Sequence, residues 1–181
     1  MKRITFPIIV MIMLGVAGCR DGNGPQGDAS ASPLGGKVPS ELVGTWGSGA
    51  IDLTLWENYR EGYYAGRNAI PTREVMIFKE DGAAKFYRYE YALNLYEELI
   101  DCEGFVTFNE DGTFTFHPVK GRKRFYDSNP GNVADKALSG GELNDPEISG
   151  KRSYIYHGET NPATLEITVP GSAPYSWYKS E

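Results

Sequence analysis

Four acidic side chains stand close together near the middle of this 181-residue chain, and they are its first candidates for chemistry. They are Glu97, Glu98, Asp101 and Glu103. Two carboxylates that flank a glycosidic bond can act as acid and base, or as acid and nucleophile, so a hydrolase is one hypothesis. Proximity in sequence does not set the separation in space, and a solvated acidic edge is the preferred interpretation.

The other reactive side chains form no recognised catalytic or metal-binding pattern. His117 and His157 are the two imidazoles of the chain, and neither stands at the spacing of a zinc motif. Cys102 has no histidine beside it in sequence, so a buried structural thiol is expected rather than a nucleophile. The sequence indicates no metal and no cofactor, and it favours a function other than catalysis.

A row of alternating tyrosines is the most suggestive candidate for a binding surface. Tyr87, Tyr89 and Tyr91 alternate with Arg88 and Glu90. Facing inward, the tyrosines would line an amphipathic pocket; facing outward, they would form a cross-strand ladder or an adhesive surface. The charged residues between them favour the inward orientation. The candidate ligand-lining residues are Tyr87, Tyr89, Tyr91, Phe108, Phe114 and Phe116.

One basic run stands out against the acidic composition. Residues 120–124 read KGRKR. Such a run could contact the phosphates of anionic lipid or lipopolysaccharide. A solubilising strand end is the preferred interpretation.

The element that must position these side chains is a turn that occurs twice. Residues 78–86 read FKEDGAAKF, and residues 108–116 read FNEDGTFTF. Asp tolerates tight-turn geometry and Gly reaches positive φ without a Cβ clash, so each copy predicts a type I turn followed by a left-handed glycine. Alternation of apolar residues with threonine around the second copy indicates strands with one apolar face. Two hairpins in series predict an antiparallel meander.

Short β-branched and aromatic segments recur along the chain, including residues 42–46, 51–56, 152–158, 164–170 and 175–180. They predict an all-β fold of about eight to ten antiparallel strands, closed into a barrel so that no strand edge stays open. A barrel of about eight strands is just wide enough to be filled by side chains or to hold one small ligand.

Two segments interrupt this strand pattern. Residues 91–103 are ambiguous between a strand and a strand that ends in a helical turn. Residues 127–150 are polar and predict an insertion, either a functional lid or a mobile surface loop, with the mobile loop favoured.

The first 40 residues predict a cellular location rather than a folded domain. Lys2 and Arg3 precede an apolar run over residues 4–16 that is too short to span a bilayer, and Val-Ala-Gly precedes Cys19. This pattern resembles the lipobox of bacterial lipoproteins, in which residues 1–18 would be removed and Cys19 lipidated. A plain signal peptide is the alternative. Acyl chains on Cys19 would anchor the protein without a transmembrane helix.

The remainder would be a linker and one domain. Removal of residues 1–18 from the 181 would leave 163, with 16 basic and 24 acidic side chains and a net charge of about −8. Such an acidic chain outside the cytoplasm does not suit nucleic acid as a partner. Residues 19–40 are rich in Gly, Ser and Pro and predict a flexible linker, and residues 41–181 predict the folded domain. Lipoproteins that are retained in the inner membrane carry Asp directly after the lipidated cysteine. This chain has Arg20 at that position, which favours the outer membrane of a Gram-negative-type cell envelope.

The start of the first predicted strand carries a family resemblance. Gly44-Thr45-Trp46 resembles the Gly-x-Trp signature of lipocalins, which are calycin-type β-barrels. In that family the tryptophan crosses the closed end of the barrel under a basic side chain from the last strand, a position that Lys179 would take. Residues 41–181 are also similar to lipocalin-like bacterial lipoproteins in their Asp-Gly turns, the Pro-x-x-Gly segment at 118–121 and the aromatic-basic final strand.

Three functional hypotheses follow. The resemblance implies a lipid-anchored envelope lipoprotein that binds a small apolar or amphipathic ligand. The alternative is a non-enzymatic protein-interaction or structural lipoprotein with a packed barrel, and the third is the carboxylate-based hydrolase. A ligand binder needs a void beside the inward aromatic residues, whereas a packed scaffold needs those residues to meet.

Overall fold

The computed structural model describes residues 36–51, 72–92, 95–127 and 133–180, and within these ranges the chain forms nine antiparallel strands in one sheet. The strands are β1 (Gly44–Gly47), β2 (Thr72–Phe78), β3 (Ala83–Ala92), β4 (Tyr96–Asn109), β5 (Thr113–Asp127), β6 (Val133–Ala137), β7 (Lys151–His157), β8 (Thr164–Thr168) and β9 (Tyr175–Ser180). The predicted all-β class is confirmed. Residues 1–18, Cys19 and, apart from Ile51, the strand predicted over 51–56 lie outside the described residues.

Backbone hydrogen bonding runs as a ring through eight of these strands. Strands β1 to β5 pair in succession, β5 pairs with β7, and β7, β8 and β9 pair in succession. The last strand returns to the first, with Trp46 opposite Lys179. Strand β6 pairs with β5 at one side of the ring. The sheet is thus barrel-like, and the predicted closure, which leaves these eight strands paired on both sides, is confirmed.

Both repeated turns have the predicted geometry. Gly82 has a φ of 86° and Gly112 a φ of 73°, values that residues with a Cβ rarely adopt. Each turn is also held from outside the hairpin. The N–H of Val106 donates to the carbonyl of Gly82 at 2.9 Å, and the N–H of Tyr154 donates to the carbonyl of Gly112 at 3.0 Å. The repeat therefore makes two hairpins and fastens each of them to a strand.

Large apolar side chains from the inner face of the ring fill its interior. The side chains with the largest volume that are almost fully buried there include Trp46, Trp177, Phe78, Phe86, Phe114 and Phe116. Val38 and Leu42, from the segment before β1, join the same cluster at 1% exposure each. The packed region thus begins shortly before residue 41, where the domain was expected to start. Burial of these side chains is the main stabilising contribution to the fold.

Close approach of the β4 and β5 backbones requires glycine where the register shifts. Between Glu103 and Gly104 the pairing skips Val119, which is 64% exposed. A Cβ on Gly104 would lie 2.1 Å from the carbonyl oxygen of His117, which is far inside van der Waals contact. A β-bulge of this kind leaves one residue unpaired and increases the local twist of the strand that carries it.

The structure decides one open alternative about local structure and corrects one expectation. Residues 96–103 are strand throughout, because their backbone groups pair with both β3 and β5, so the helical turn considered there does not form. The insertion at 127–150, expected as a mobile loop, contains β6 and two short helices, Gly140–Leu143 and Pro146–Ser149. Ser139 and Glu142 form a capping box on the first helix, and Asp145 caps the second.

Candidate functional site: a polar cavity at the mouth of the ring

One end of the ring is closed around Trp46. Its indole Nε1 donates a hydrogen bond of 2.8 Å to the carbonyl of Leu42, in the 3₁₀ turn Ser40–Leu42. The Nζ of Lys179 lies 5.3 Å from the Trp46 ring centroid, a cation–π contact. A Cβ on Gly44 would lie 3.2 Å from the Cε of Lys179. The structure thus brings Gly44, Trp46 and Lys179 together at this end.

The phenylalanines named as ligand-lining candidates lie against one another in the interior. Phe108 and Phe114 have ring centroids 5.5 Å apart, and Phe78 lies 5.5 and 5.6 Å from them. Phe116 lies 6.1 Å from Phe86 and is fully buried. These rings meet as a packed scaffold requires, and none of them lines the cavity at the other end of the ring.

The tyrosine row faces away from this interior, contrary to the expectation from its charged neighbours. Tyr89 is buried in a second cluster with Leu99, against which Tyr91 packs. Tyr87 lines a separate cavity of about 220 Å³ that Ile51 also lines. The expected inward orientation is wrong because the face of β3 that carries Arg88 and Glu90 also carries Phe86 of the main core. The opposite face is covered as well, so Tyr89 is buried there.

The end of the ring opposite Trp46, called the mouth, holds a larger cavity. Strand β1 ends and strands β2 and β9 begin at this end. The cavity has a volume of about 520 Å³, which falls in the range of roughly 300–1,000 Å³ typical of small-molecule sites. The residues that line it are Ser48, Thr72, Glu74, Arg88, Glu90, Glu147, Val169, Ser172 and Tyr175.

Strand alternation places the charged groups in this cavity. Glu74 lies directly opposite Arg88 in the register of β2 and β3, and Glu90 follows Arg88 at the next position on the same face. On the same face, Met76 lies next to Glu74 and Phe86 lies next to Arg88, and both belong to the core. One face of β2 and β3 is therefore apolar toward the closed end and charged toward the mouth.

The helix Pro146–Ser149, called the mouth helix, forms one wall of the cavity. Ile148 is 2% exposed and packs in the main core, while the neighbouring Glu147 lines the cavity and pairs with Arg88. The insertion is therefore docked by an apolar anchor and an ion pair. The described part of the insertion is therefore packed against the ring and forms part of the cavity wall.

Arg152 stabilises the mouth helix through hydrogen bonds to its main chain. It is 1% exposed and donates to three main-chain oxygens, those of Glu147 at 2.6 Å, Gly150 at 3.1 Å and Ile148 at 3.2 Å. Its guanidinium carbon lies 5.4 Å from the ring centroid of Phe86, and its Nε has no hydrogen-bond partner. Carbonyl oxygens at a helix end are suitable acceptors for a buried guanidinium, which explains a buried charge that forms no ion pair among the described residues.

Two tyrosine hydroxyls donate to carboxylates of the cavity wall. The hydroxyl of Tyr175 lies 2.8 Å from an oxygen of Glu74, and the hydroxyl of Tyr96 donates to Glu90. Burial, and then the adjacent carboxylate, raises the pKa of Tyr175. The hydrogen bond to Glu90, and then burial, raises the pKa of Tyr96. Both hydroxyls therefore stay protonated at neutral pH and act as donors.

The acidic side chains at 97–103 lie in ion pairs and hydrogen bonds with their neighbours. Glu97 accepts from the hydroxyl of Tyr89, Glu98 pairs with Lys123, and Asp101 pairs with Arg124 at 2.6 Å. Glu103 lies 2.7 Å from Lys120 and 3.0 Å from Lys85, whose hydrogen bonds lower its pKa to about 2. Asp101 and Glu103 do line a surface cavity of about 200 Å³, but Lys120 and Arg122 line it as well. Glu98, Asp101 and Glu103 therefore belong to a network of ion pairs with basic side chains of β3 and β5.

Cys102 and His117 have structural surroundings. Burial raises the pKa of Cys102 to about 12, so it is protonated and a poor nucleophile at neutral pH. His117 stacks on Phe105 with ring centroids 4.8 Å apart. Across the described ranges, no group of three or more His, Cys, Asp or Glu side chains could hold a metal ion.

Sequence reasoning did not select most of the residues that form this site. Glu74, Arg88, Glu90, Glu147 and Tyr175 come from three strands and the insertion. Arg88 and Glu90 had been placed on the outer face. The sequence did carry a local signal of the site: on one face of β2 and of β3, charged residues adjoin the apolar ones.

Comparison with protein-family models, with curated proteins and with solved structures found no match to this chain. In the part of the chain that the structure describes, no helix combines the length and apolar character needed to cross a membrane.

Proposed function

We propose that this protein is a lipid-anchored lipoprotein of the cell envelope whose lipocalin-like domain binds a small amphipathic ligand without changing it chemically. The observation that carries the proposal is the cavity of about 520 Å³ at the mouth of the ring. It combines apolar surface, from Val169 and the ring of Tyr175, with charged groups on β2, β3 and the mouth helix. Ligand sites of small molecules have this mixture of apolar walls and a few placed polar groups.

The packing of the interior narrows the ligand class within this proposal. Phe78, Phe108 and Phe114 are mutually in contact toward the closed end, and Phe114 also lies 6.3 Å from Trp177. A long apolar chain would have to displace these rings, which costs packing energy. A short amphipathic molecule held at the mouth avoids that cost, so an amphipathic ligand replaces a wholly apolar one as the expected occupant.

The anchor is the second part of the proposal and depends on Cys19. Residues 4–16 and the small residues before Cys19 motivate it, and the linker at 19–40 would let the domain stand away from the bilayer. Labelling of cells with a radioactive fatty acid should mark the wild-type protein and leave a Cys19→Ser variant unmarked. Equal labelling of both proteins would refute the lipid anchor.

Ligand binding is tested on the full chain carrying Cys19→Ser, because an acyl anchor would itself compete for amphipathic molecules. Native mass spectrometry of this protein, purified from its envelope-forming host, should show a bound small molecule that is lost on denaturation. The variant Val169→Trp fills the cavity and should abolish the bound mass. Its matched control is Val119→Trp, on the exposed bulge, which should retain it. A bound mass that survives Val169→Trp would place the ligand elsewhere and overturn the proposal.

A packed scaffold for protein interaction is the second candidate, and the contacts among the interior phenylalanines are the observation that favours it. In that case no small molecule copurifies, and Val169→Trp leaves the binding of protein partners unchanged.

A further inference from the structure

We propose that the ligand of the mouth cavity is an organic cation, whose ammonium or amidinium head group binds between Glu74 and Glu90. This inference rests on the proposed function, because it names the class of ligand that the same cavity takes. It concerns two carboxylates of the cavity wall, neither of which forms an ion pair with a basic side chain in the described part of the chain.

The balance of charge along the wall is negative. Among the described residues that line the cavity, three are carboxylates, Glu74, Glu90 and Glu147, and one is a guanidinium, Arg88. Arg88 pairs with Glu147. Glu74 and Glu90 form no ion pair with any described basic side chain, and their side-chain partners are the hydroxyls of Tyr175 and Tyr96. A hydroxyl donor satisfies part of a carboxylate's hydrogen-bonding capacity and does not neutralise its charge. Arg88, opposite Glu74 and beside Glu90 on the same face, is the one described cation in the lining, and its ion pair is with Glu147.

The buried arginine nearby does not reverse this balance. Arg152 lies close enough to Tyr175 to counteract part of the rise in its pKa. Its terminal nitrogens bond the carbonyls of Glu147, Ile148 and Gly150, so they are not available to a ligand. With Arg152 included, the wall and its support still carry one more negative than positive charge.

The geometry fits an organic cation better than a metal ion. Glu90 and Glu74 lie diagonally across β2 and β3, since Glu90 is opposite Thr72 and Glu74 is opposite Arg88. Diagonal neighbours on a sheet are separated by roughly 7–8 Å at Cα, which suits a head group that bridges two carboxylates. A volume of about 520 Å³ also exceeds what an ion needs. Tyr175 adds an aromatic residue to the lining, and the face of an aromatic ring attracts cations.

The experiment compares three probes of equal chain length that differ in charge: octylammonium, octanoate and octan-1-ol. Each is titrated into the full chain carrying Cys19→Ser by isothermal calorimetry at low ionic strength. Octylammonium should bind at least about tenfold more tightly than the other two, as expected for a charge-assisted contact in a partly enclosed site. Glu74→Gln and Glu90→Gln should each weaken the binding of octylammonium severalfold, up to about tenfold. Added salt should weaken it as well. Glu159→Gln, which removes the same charge at an exposed position outside the cavity, should leave binding unchanged.

The outcomes separate this inference from the function on which it rests. If octanoate or octanol binds as tightly as octylammonium and Val169→Trp abolishes that binding, the cavity binds ligands but the cationic class is wrong. If octylammonium binds equally well to Glu74→Gln and Glu90→Gln, the proposed contact is also wrong. If none of the three probes binds, both the cationic class and the proposed binding of small amphipathic molecules fail. Thermal unfolding of each variant verifies that the fold is intact before its binding is interpreted.

Discussion

Arg88 on β3 forms an ion pair with Glu147 on the mouth helix, across 59 positions of the chain. The Arg88 side chain is 13% exposed, whereas that of Glu147 is 70% exposed. The pair therefore joins a fixed residue of the ring to a residue at the surface of the insertion. Both residues line the mouth cavity, so the position of the insertion and the charge of the cavity are coupled.

Loss of this ion pair should loosen the mouth helix more than it destabilises the protein. Glu147→Gln should lower the free energy of unfolding by less than about 1 kcal/mol, because Glu147 is largely exposed and its attraction is screened by water. Amide hydrogen exchange over residues 146–150 should become faster, while exchange in β2 stays the same. Unchanged exchange over 146–150 would show that Ile148 and Arg152 hold the helix without the ion pair.

Arg152 should contribute far more to the free energy of unfolding than the neighbouring Lys151. Arg152→Met removes the donors to three carbonyls of the mouth helix and its C-terminal end, and it should cost about 2–4 kcal/mol in the free energy of unfolding. Lys151→Met is the matched control, since Lys151 lies at the surface and pairs there with Asp111. Its cost should stay below about 1 kcal/mol in urea unfolding. Equal costs for the two variants would contradict the supporting role of Arg152.

Close packing at Gly121 predicts a penalty for one added methyl group. A Cβ there would lie 2.7 Å from the Sγ of Cys102 and 2.8 Å from the Cδ1 of Leu138. Gly121→Ala should therefore destabilise the protein by about 1–3 kcal/mol through overpacking. A Cβ on Gly140 would meet nothing within 4 Å, so Gly140→Ala should be neutral or slightly stabilising. Chemical denaturation of both variants would test the contrast, and a neutral Gly121→Ala would show that the side chains of Cys102 and Leu138 move aside at little cost.

The ion pairs of Glu103 should make part of the stability depend on pH. Hydrogen bonds from Lys120 and Lys85 lower the pKa of Glu103 from 4.5 to about 2. A depressed pKa in the folded state contributes stability that is complete above the unfolded value and is lost as the pH falls through the folded value. Wild type should therefore exceed Glu103→Gln in stability at pH 7, and the difference should shrink between about pH 4.5 and 2. Solvent exposure keeps this difference below about 1 kcal/mol.

Unfolding curves of the two proteins measured from pH 7 down to pH 2 would test this assignment. A difference that grows as the pH falls would have the wrong sign for a carboxylate paired with lysines.

The architecture followed from local patterns because those patterns act over a few residues. An Asp-Gly pair selects a tight turn by the φ that Gly82 and Gly112 can reach, and period-two alternation around Phe114 selects a strand. These preferences operate wherever the segment lies in the fold. The approximate strand count, the all-β class and the closure of the sheet therefore follow from the sequence.

The orientation of the strands and the site itself were decided by tertiary contacts. Tyr89 and Phe86 are both buried although they lie on opposite faces of β3, so composition could not show which face is interior. Glu74, Glu90 and Glu147 meet at one cavity because ring closure and the docking of Ile148 bring distant segments together. The sequence alone thus determined the turns, the strands and the expectation of a closed sheet, since these depend on local sterics and periodicity. The tertiary structure decided which side chains face inward and which charges share a cavity, because both depend on contacts between residues far apart in the chain.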